Sequence, residues 1–136
     1  METYTVLETV HQRISTIEFW SNGITYIKMD DNAEMMLEDS LAQYHELKAR
    51  FDGKNKFKLL VEPGRYTGIS AEAREFSSQK ENNAMTAASA VIIKSLAHRL
   101  VINFVINFTQ KQTMKMQMFD SKEKAIEWLL SFKTGF

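Results

Sequence analysis

A chain of 136 residues has the length of one domain, and an apolar share of 44% is enough for a packed core. Seventeen basic and seventeen acidic side chains cancel, which argues against nucleic acid as a partner and against recruitment to an anionic membrane surface. The absence of cysteine excludes disulfides, thiolate metal sites and thiol catalysis, and fits a reducing cytosol.

Met1 to Val10 carries Glu2 and Glu8 and no basic apolar run, so it does not read as a signal peptide. Ile14 to Trp20 and Ile24 to Asp30 flank Ser21-Asn22-Gly23, and an Asn-Gly pair accepts the positive φ of a tight turn. The spacing predicts a β-hairpin. On its second strand Ile24, Tyr26 and Lys28 share one face, and Thr25, Ile27 and Met29 the other. Asp30, Asp31 or Asn32 is the expected cap of the next helix. Its acidic start (Glu34, Glu38, Asp39) suits the positive end of a helix dipole. Leu37, Leu41, Tyr44, Leu47 and Phe51 form its apolar stripe, and Asp52-Gly53 ends it. Phe57 to Val61 reads as a short strand that stops before Pro63, the one proline.

The loop from Gly64 to Ile69 follows, with Ser70 as cap of a short helix whose inner face is Ile69, Ala73 and Phe76. Lys80 to Ala84 reads as a polar loop. Ala88 to Ile93 has the composition of a buried strand. Ser95 opens a helix that is apolar at Leu96, Leu100, Val101, Phe104, Val105 and Phe108, with Arg99, Asn103 and Asn107 as a polar ridge. Its apolar run is interrupted at Asn103 and Asn107 and is far below the ~20 residues needed to span a bilayer. Thr109 to Gln112 is an expected turn. Met114, Met116 and Met118 alternate with Lys115 and Gln117 in a strand from Thr113 to Phe119. Asp120 or Ser121 caps a last helix with Ala125, Trp128, Leu129 and Phe132 inside. Strands alternating with helices predict a parallel sheet covered by helices. No repeat or linker divides residues 1–136, which read as a single domain.

In that order of elements the chain resembles the STAS-like fold of anti-sigma-factor antagonists and sulfate-transporter tails. It is most similar to a bacterial family of uncharacterised STAS-like domains, related to the lipid-binding Sec14-like type in fold only. The residues that carry the resemblance are Glu72-Ala73-Arg74-Glu75, Ala90-Val91-Ile92-Ile93-Lys94-Ser95 with Arg99, Asn103-Phe104, Phe119-Asp120 and Ala125-Ile126-Glu127-Trp128-Leu129. The resemblance implies an α/β architecture with a mixed, mostly parallel sheet of about five strands, an N-terminal hairpin and about four helices. It implies no catalytic residue, metal or cofactor. STAS regulatory loops place an acidic residue directly before a phosphorylatable serine, whereas Ile69 precedes Ser70 here. The related family has prolines after its Asn-Phe helix where this chain has Gln110-Lys111-Gln112.

The loop Gly64 to Ser70 is the expected ligand site because it leaves a strand and opens a helix, at the carboxyl edge where α/β proteins bind ligands. Gly64 and Gly68 permit close backbone approach, Arg65 offers a fork of donors, and Thr67 and Ser70 offer hydroxyls to an anion. The spacing is not that of a Walker loop. The plainer reading of the same loop, favoured because caps of this type occur at most helix starts, is two glycine turns with a solvated Thr67 and a capping Ser70. Ser70 and Thr67 are also the candidate phosphorylation sites, with Arg65 or Arg74 as counter-charge. His98, Ile102 and Ile106 share a row on an unusually greasy helix and are the expected interface to a second copy or a protein partner. The Met face reads as packing under a helix, with a lipid as the alternative. His11, His45 and His98 lack metal spacing, and no nucleophile motif is present. The expectation is a cytoplasmic, non-enzymatic interaction module, a homodimer; the alternative is a small-ligand protein binding an anion or a lipid.

Overall fold

The computed structural model describes residues 3–109 and 114–132. The chain runs β1 (Val6–His11), β2 (Ser15–Trp20), β3 (Ile24–Met29), β4 (Glu34–Met35), α1 (Leu37–Arg50), β5 (Phe57–Glu62) and β6 (Gly68–Ile69). It continues through α2 (Ala71–Ser77), α3 (Lys80–Asn83), β7 (Thr86–Ile92), α4 (Leu96–Thr109), β8 (Lys115–Phe119) and α5 (Lys122–Leu130). Six strands form one sheet in the order β1-β2-β3-β5-β7-β8, while β4 and β6 make a separate two-stranded pair. β1, β2 and β3 are mutually antiparallel, and β3, β5, β7 and β8 run parallel. This is the mixed, mostly parallel α/β sheet with an N-terminal hairpin that the sequence predicts.

Local chemistry explains the elements. Gly23 adopts φ +90° in the hairpin turn, and its N–H donates to the Trp20 carbonyl at 3.1 Å. β7 is Thr-Ala-Ala-Ser-Ala-Val-Ile and is buried at every position, as a strand covered on both faces must be. Register divides the sheet into two faces. Tyr26 lies beside Leu60, Leu60 beside Ala90, and Ala90 beside Gln117. On this face Trp20, Ile24, Leu60, Ala88, Ala90 and Ile92 pack against Ala125, Ile126 and Leu129 of α5. The opposite face carries Ile27, Val61, Val91 and Met118, matched in the same way. On that side α1 packs on α2, α2 on α4, and α4 on β8. Met116 and Met118 are half-buried between the exposed Lys115 and Gln117.

Several expectations are corrected. The sheet of about five strands that the sequence predicts has six, Val6–His11 adding β1 to the hairpin. Helix α1 begins at Leu37, and none of Asp30, Asp31 or Asn32 caps it. The Asp39 carboxylate reaches back to the Met36 N–H at 2.8 Å and does so; the residues before it are held by the β4–β6 pair. Lys80–Asn83 form one helical turn rather than a loop, with Asn83 buried and its amide donating to the Ser77 carbonyl at 3.1 Å. Thr67, read as solvated, is buried. The expected turn at residues 110–112 and the strand start at Thr113 lie outside the described residues, as do the side chains of Phe104, Val105, Asn107 and Phe108.

Candidate functional site

β5 stops at Glu62, and Pro63 leads the chain out at the carboxyl edge of the parallel strands. The loop from Gly64 to Ser70 then folds onto the segment after β3. The fit is close: a Cβ on Gly64 would stand 2.6 Å from the carbonyl carbon and oxygen of Asp30. Asn32 N–H donates to the Arg65 carbonyl at 2.7 Å, and Arg65 N–H donates to Asp31 Oδ1 at 2.7 Å. Thr67 Oγ1 donates to the Asp30 carbonyl at 2.8 Å. Gly68 N–H reaches the Ala33 carbonyl and Ser70 N–H the Met35 carbonyl, each at 2.9 Å. Ser70 Oγ accepts from the Ala73 N–H at 3.1 Å and so caps α2. Most of the polar groups expected to cradle an anion are therefore committed within the protein. The Thr67 hydroxyl becomes reachable only if the loop lifts off residues 30–31, and Ser70 is half-buried in its cap. Arg65 is exposed.

Folding the loop inward leaves a pocket of about 140 Å³ beneath α4, walled by Met29, Met35, Val61, Ile69, Val101 and Ile102. Pro63, Thr67, Gly68, Val91, Ala97 and His98 complete its lining. The lining is gathered from β3, β4, β5 with the loop after it, β7 and the first two turns of α4, and the sheet's alternation aims Met29, Val61 and Val91 to the same side. Beside the pocket is an open recess of about 470 Å³ lined by Asp31, Arg65, Tyr66, Lys94, Ser95 and His98. His98 alone belongs to both walls.

The imidazole of His98 is only 9% exposed. Its position follows from the start of α4, where Ser95 Oγ accepts from the His98 N–H at 3.1 Å. Nε2 lies 3.1 Å from the Thr67 carbonyl oxygen. A carbonyl only accepts, so Nε2 carries the proton of that bond. Among the described residues Nδ1, which is buried, has no hydrogen-bond partner. The Ser40 hydroxyl, also buried and without a partner among the described residues, belongs to the lining of a smaller and more polar cavity of about 70 Å³ under α1.

The charges near the rim are paired. Tyr26 Oη donates to Glu62 Oε1 at 2.6 Å, and Lys94 Nζ reaches Glu62 Oε2 at 2.9 Å. Burial pulls the Glu62 carboxyl upward, but the bonds from Tyr26 and Lys94 outweigh it and hold the group below the usual carboxylate range. Burial, then the Glu62 bond, raises the Tyr26 hydroxyl well above the ordinary phenol value. Among the described residues no group of three or more His, Cys, Asp or Glu is placed to hold a metal ion.

Of the residues singled out from sequence, Thr67, Gly68, His98 and Ile102 come together in the pocket wall, and Arg65 stands at the recess. Gly64 serves the close approach and Ser70 the cap. His98 and Ile102 line the pocket, whereas among the described side chains of α4 the large exposed apolar ones are Leu96 at 70% and Leu100 at 63%; Tyr66, at 78%, lines the recess. Met29, Met35, Val61, Val91 and Val101 were missed as site residues. Each reads locally as core, and no local signal separates a pocket wall from a packed one.

The profile of a family described as Domain of unknown function (DUF7793) matches residues 18–133. The chain belongs to this family. Its matched span begins within β2, so β1 lies before it. No curated protein matches. A crystal structure of an uncharacterized protein from the DUF3478 family with a SpoIIAA-like fold, from Shewanella loihica PV-4, aligns over 95% of this chain and 97% of its own. The TM-score is 0.57 at 11% identity, a likeness of fold. DUF7793 thus takes the STAS-like architecture that its sequence resembles. Among the described residues no helix is long and apolar enough to cross a membrane.

Proposed function

We propose that this protein is a non-enzymatic regulatory module that binds a small ligand beneath α4. The observation that carries the reading is an apolar pocket at the carboxyl edge of the parallel strands, with the buried His98 in its wall. Open α/β sheets bind ligands at this edge. Packing in a folded interior is dense, so an unfilled apolar space at that edge stands out against the rest of the core. His98 Nε2 is tied to a backbone carbonyl, which suits recognition better than proton transfer.

A second reading concerns the outer side of the same helix. Leu96 and Leu100 are one turn apart and exposed, and such a pair suits contact with a second copy of the chain. Helix α4 would then connect ligand and partner, with Val101 and Ile102 towards one and Leu96 and Leu100 towards the other. Two measurements test the readings separately. In an NMR screen of small apolar fragments, amide shifts confined to residues around Met35, Ile69 and Val101 support the pocket; a screen with no shift there removes it. For the outer face, Leu96→Glu with Leu100→Glu should halve the solution mass of a dimeric wild type. A monomeric wild type disposes of self-association.

A further inference from the structure

We infer that the ligand is a small amphipathic carboxylate, with a compact apolar body in the pocket and its anionic end in the adjoining recess against Arg65. This inference rests on the ligand-binding reading above and assigns its ligand class.

The pocket and the recess follow one another along the same two segments, the Gly64–Ser70 loop and the start of α4. Arg65 and Tyr66 of the loop line the recess together with Lys94 and Ser95. Thr67, Gly68 and Ile69 line the pocket together with Ala97, Val101 and Ile102. His98 stands where the two meet. A molecule that outgrows the pocket along this line enters the recess. Size sets the apolar end. A volume of about 140 Å³ is close to that of an engineered apolar cavity of about 150 Å³ that takes up benzene.

Charge sets the other end. Lys94 is already answered by Glu62 at 2.9 Å, and Asp31 spends Oδ1 on the Arg65 N–H at 2.7 Å. The exposed Arg65 guanidinium has no hydrogen-bond or ion-pair partner among the described residues. Its planar fork of donors matches a carboxylate. With the Asp31 carboxylate in the same wall, the recess suits one negative charge better than the two of a phosphate.

Tyr66 carries a separate mark. Its φ is +60°, a left-handed backbone that a bulky side chain rarely adopts. The Asn32 N–H on the Arg65 carbonyl at 2.7 Å and the Thr67 N–H on the Gly64 carbonyl at 3.3 Å hold the chain on either side of it. Backbone outliers of this kind cluster at ligand clamps, and this one places an exposed ring at the recess.

The test compares 3-phenylpropanoate, 3-phenylpropan-1-ol and 3-phenylpropylamine, which share one apolar body and differ in end group. Each is titrated against the full chain at about pH 7, where the acid is ionised and the amine protonated, with amide chemical shifts as readout. The acid should bind about fivefold more tightly than the alcohol, the worth of one exposed charge pair, and the amine most weakly. The acid should shift residues around both Val101 and Arg65. Arg65→Gln, which touches no side-chain partner, should bring acid and alcohol to parity and leave the alcohol unchanged. Tyr66→Gly, which relieves the backbone, should raise the urea midpoint and yet weaken the acid; an unchanged affinity would take Tyr66 out of the site. Equal binding of acid and alcohol to wild type overturns the carboxylate assignment but leaves an apolar pocket. Tightest binding by the amine overturns it too, in favour of Asp31. Shifts from the acid at the recess alone overturn the two-ended ligand, and shifts from none of the three remove the pocket reading itself. The wild-type comparison decides alone, so misfolding of a variant does not protect the inference.

Discussion

Gly64 and Asp39 each hold a junction that a single atom decides. Gly64 needs no unusual φ; what it needs is space, since the Asp30 and Asp31 backbone lies 2.6–2.7 Å from where a Cβ would stand. Backbone cannot yield as a flexible side chain can. Gly64→Ala should therefore cost about 2 kcal/mol in urea unfolding, the range of overpacking, whereas Gly23→Ala, with open space around it, suffers from its φ of +90° alone. Asp39 caps α1 through the Met36 N–H and accepts from Arg13 Nε at 2.9 Å. The Arg13 bond, aided by the Met36 N–H and opposed by burial, holds its carboxyl below the usual carboxylate range. A carboxylate depressed in the folded state stabilises above its unfolded value of about 3.9 and loses that contribution as pH falls through the folded value. Asp39→Ala should lower stability by about 1 kcal/mol at neutral pH, as loss of a cap does. The gap from wild type should close on acidification below about pH 4. A gap that stays constant down to about pH 2 would refute this assignment, as measured by urea unfolding at each pH.

At the scale of elements, small residues set how closely α5 lies on the sheet. Ala88, Ala90 and Ala125 have no exposed surface, and Ile126 and Leu129 fill the space around them. Ala90→Leu should destabilise by about 1–3 kcal/mol through overpacking, read as a lower denaturant midpoint at unchanged slope. Elements whose signal is local were legible in sequence: the Asn22-Gly23 turn, the buried strand now bounded as Thr86–Ile92, and the caps Ser70, Ser95 and Ser121. β1 was not, because Val6, Leu7, Glu8 and Thr9 are exposed on both faces and an edge strand without a buried side has no alternating pattern to read. β4 and β6 are two residues each and exist only because the Gly64 loop docks. The site was half-legible. Arg65, Thr67 and Gly68 are singled out by the strand-loop-helix context as part of an anion loop; Thr67 and Gly68 line the pocket and Arg65 the recess. His98 and Ile102 were read as one row of α4, as they are, but periodicity gives the row and not which way it turns. The pocket's other walls come from segments up to about seventy residues apart, Met29 to Val101, and proximity of that kind is created only by folding.

The whole molecule combines two kinds of sheet, and their stability should differ. β3, β5 and β7 are central, parallel to one another and covered on both faces, while β1 is exposed at five of six positions. Native-state hydrogen exchange should be slowest in β5 and β7 and fastest in β1 and in the β4–β6 pair, because opening costs least where little apolar surface is buried. Protection in β1 equal to that of β7 would contradict this division. The outer flank nevertheless has a part to play. β1 slips register between Val6 and Glu8, stacks Tyr4 on Trp20 at 3.8 Å between ring centres, and ties Glu8 to Arg50 of α1 at 2.7 Å. A strand with a slipped register is a poorer template for further pairing than a regular one. Strip it away and β2, bearing Ile17, Phe19 and Trp20, becomes the free margin, its amides unsaturated and its side chains oily. Copies of a chain cut before Gln12 should zip together along that margin, an outcome that a rise in solution mass would record.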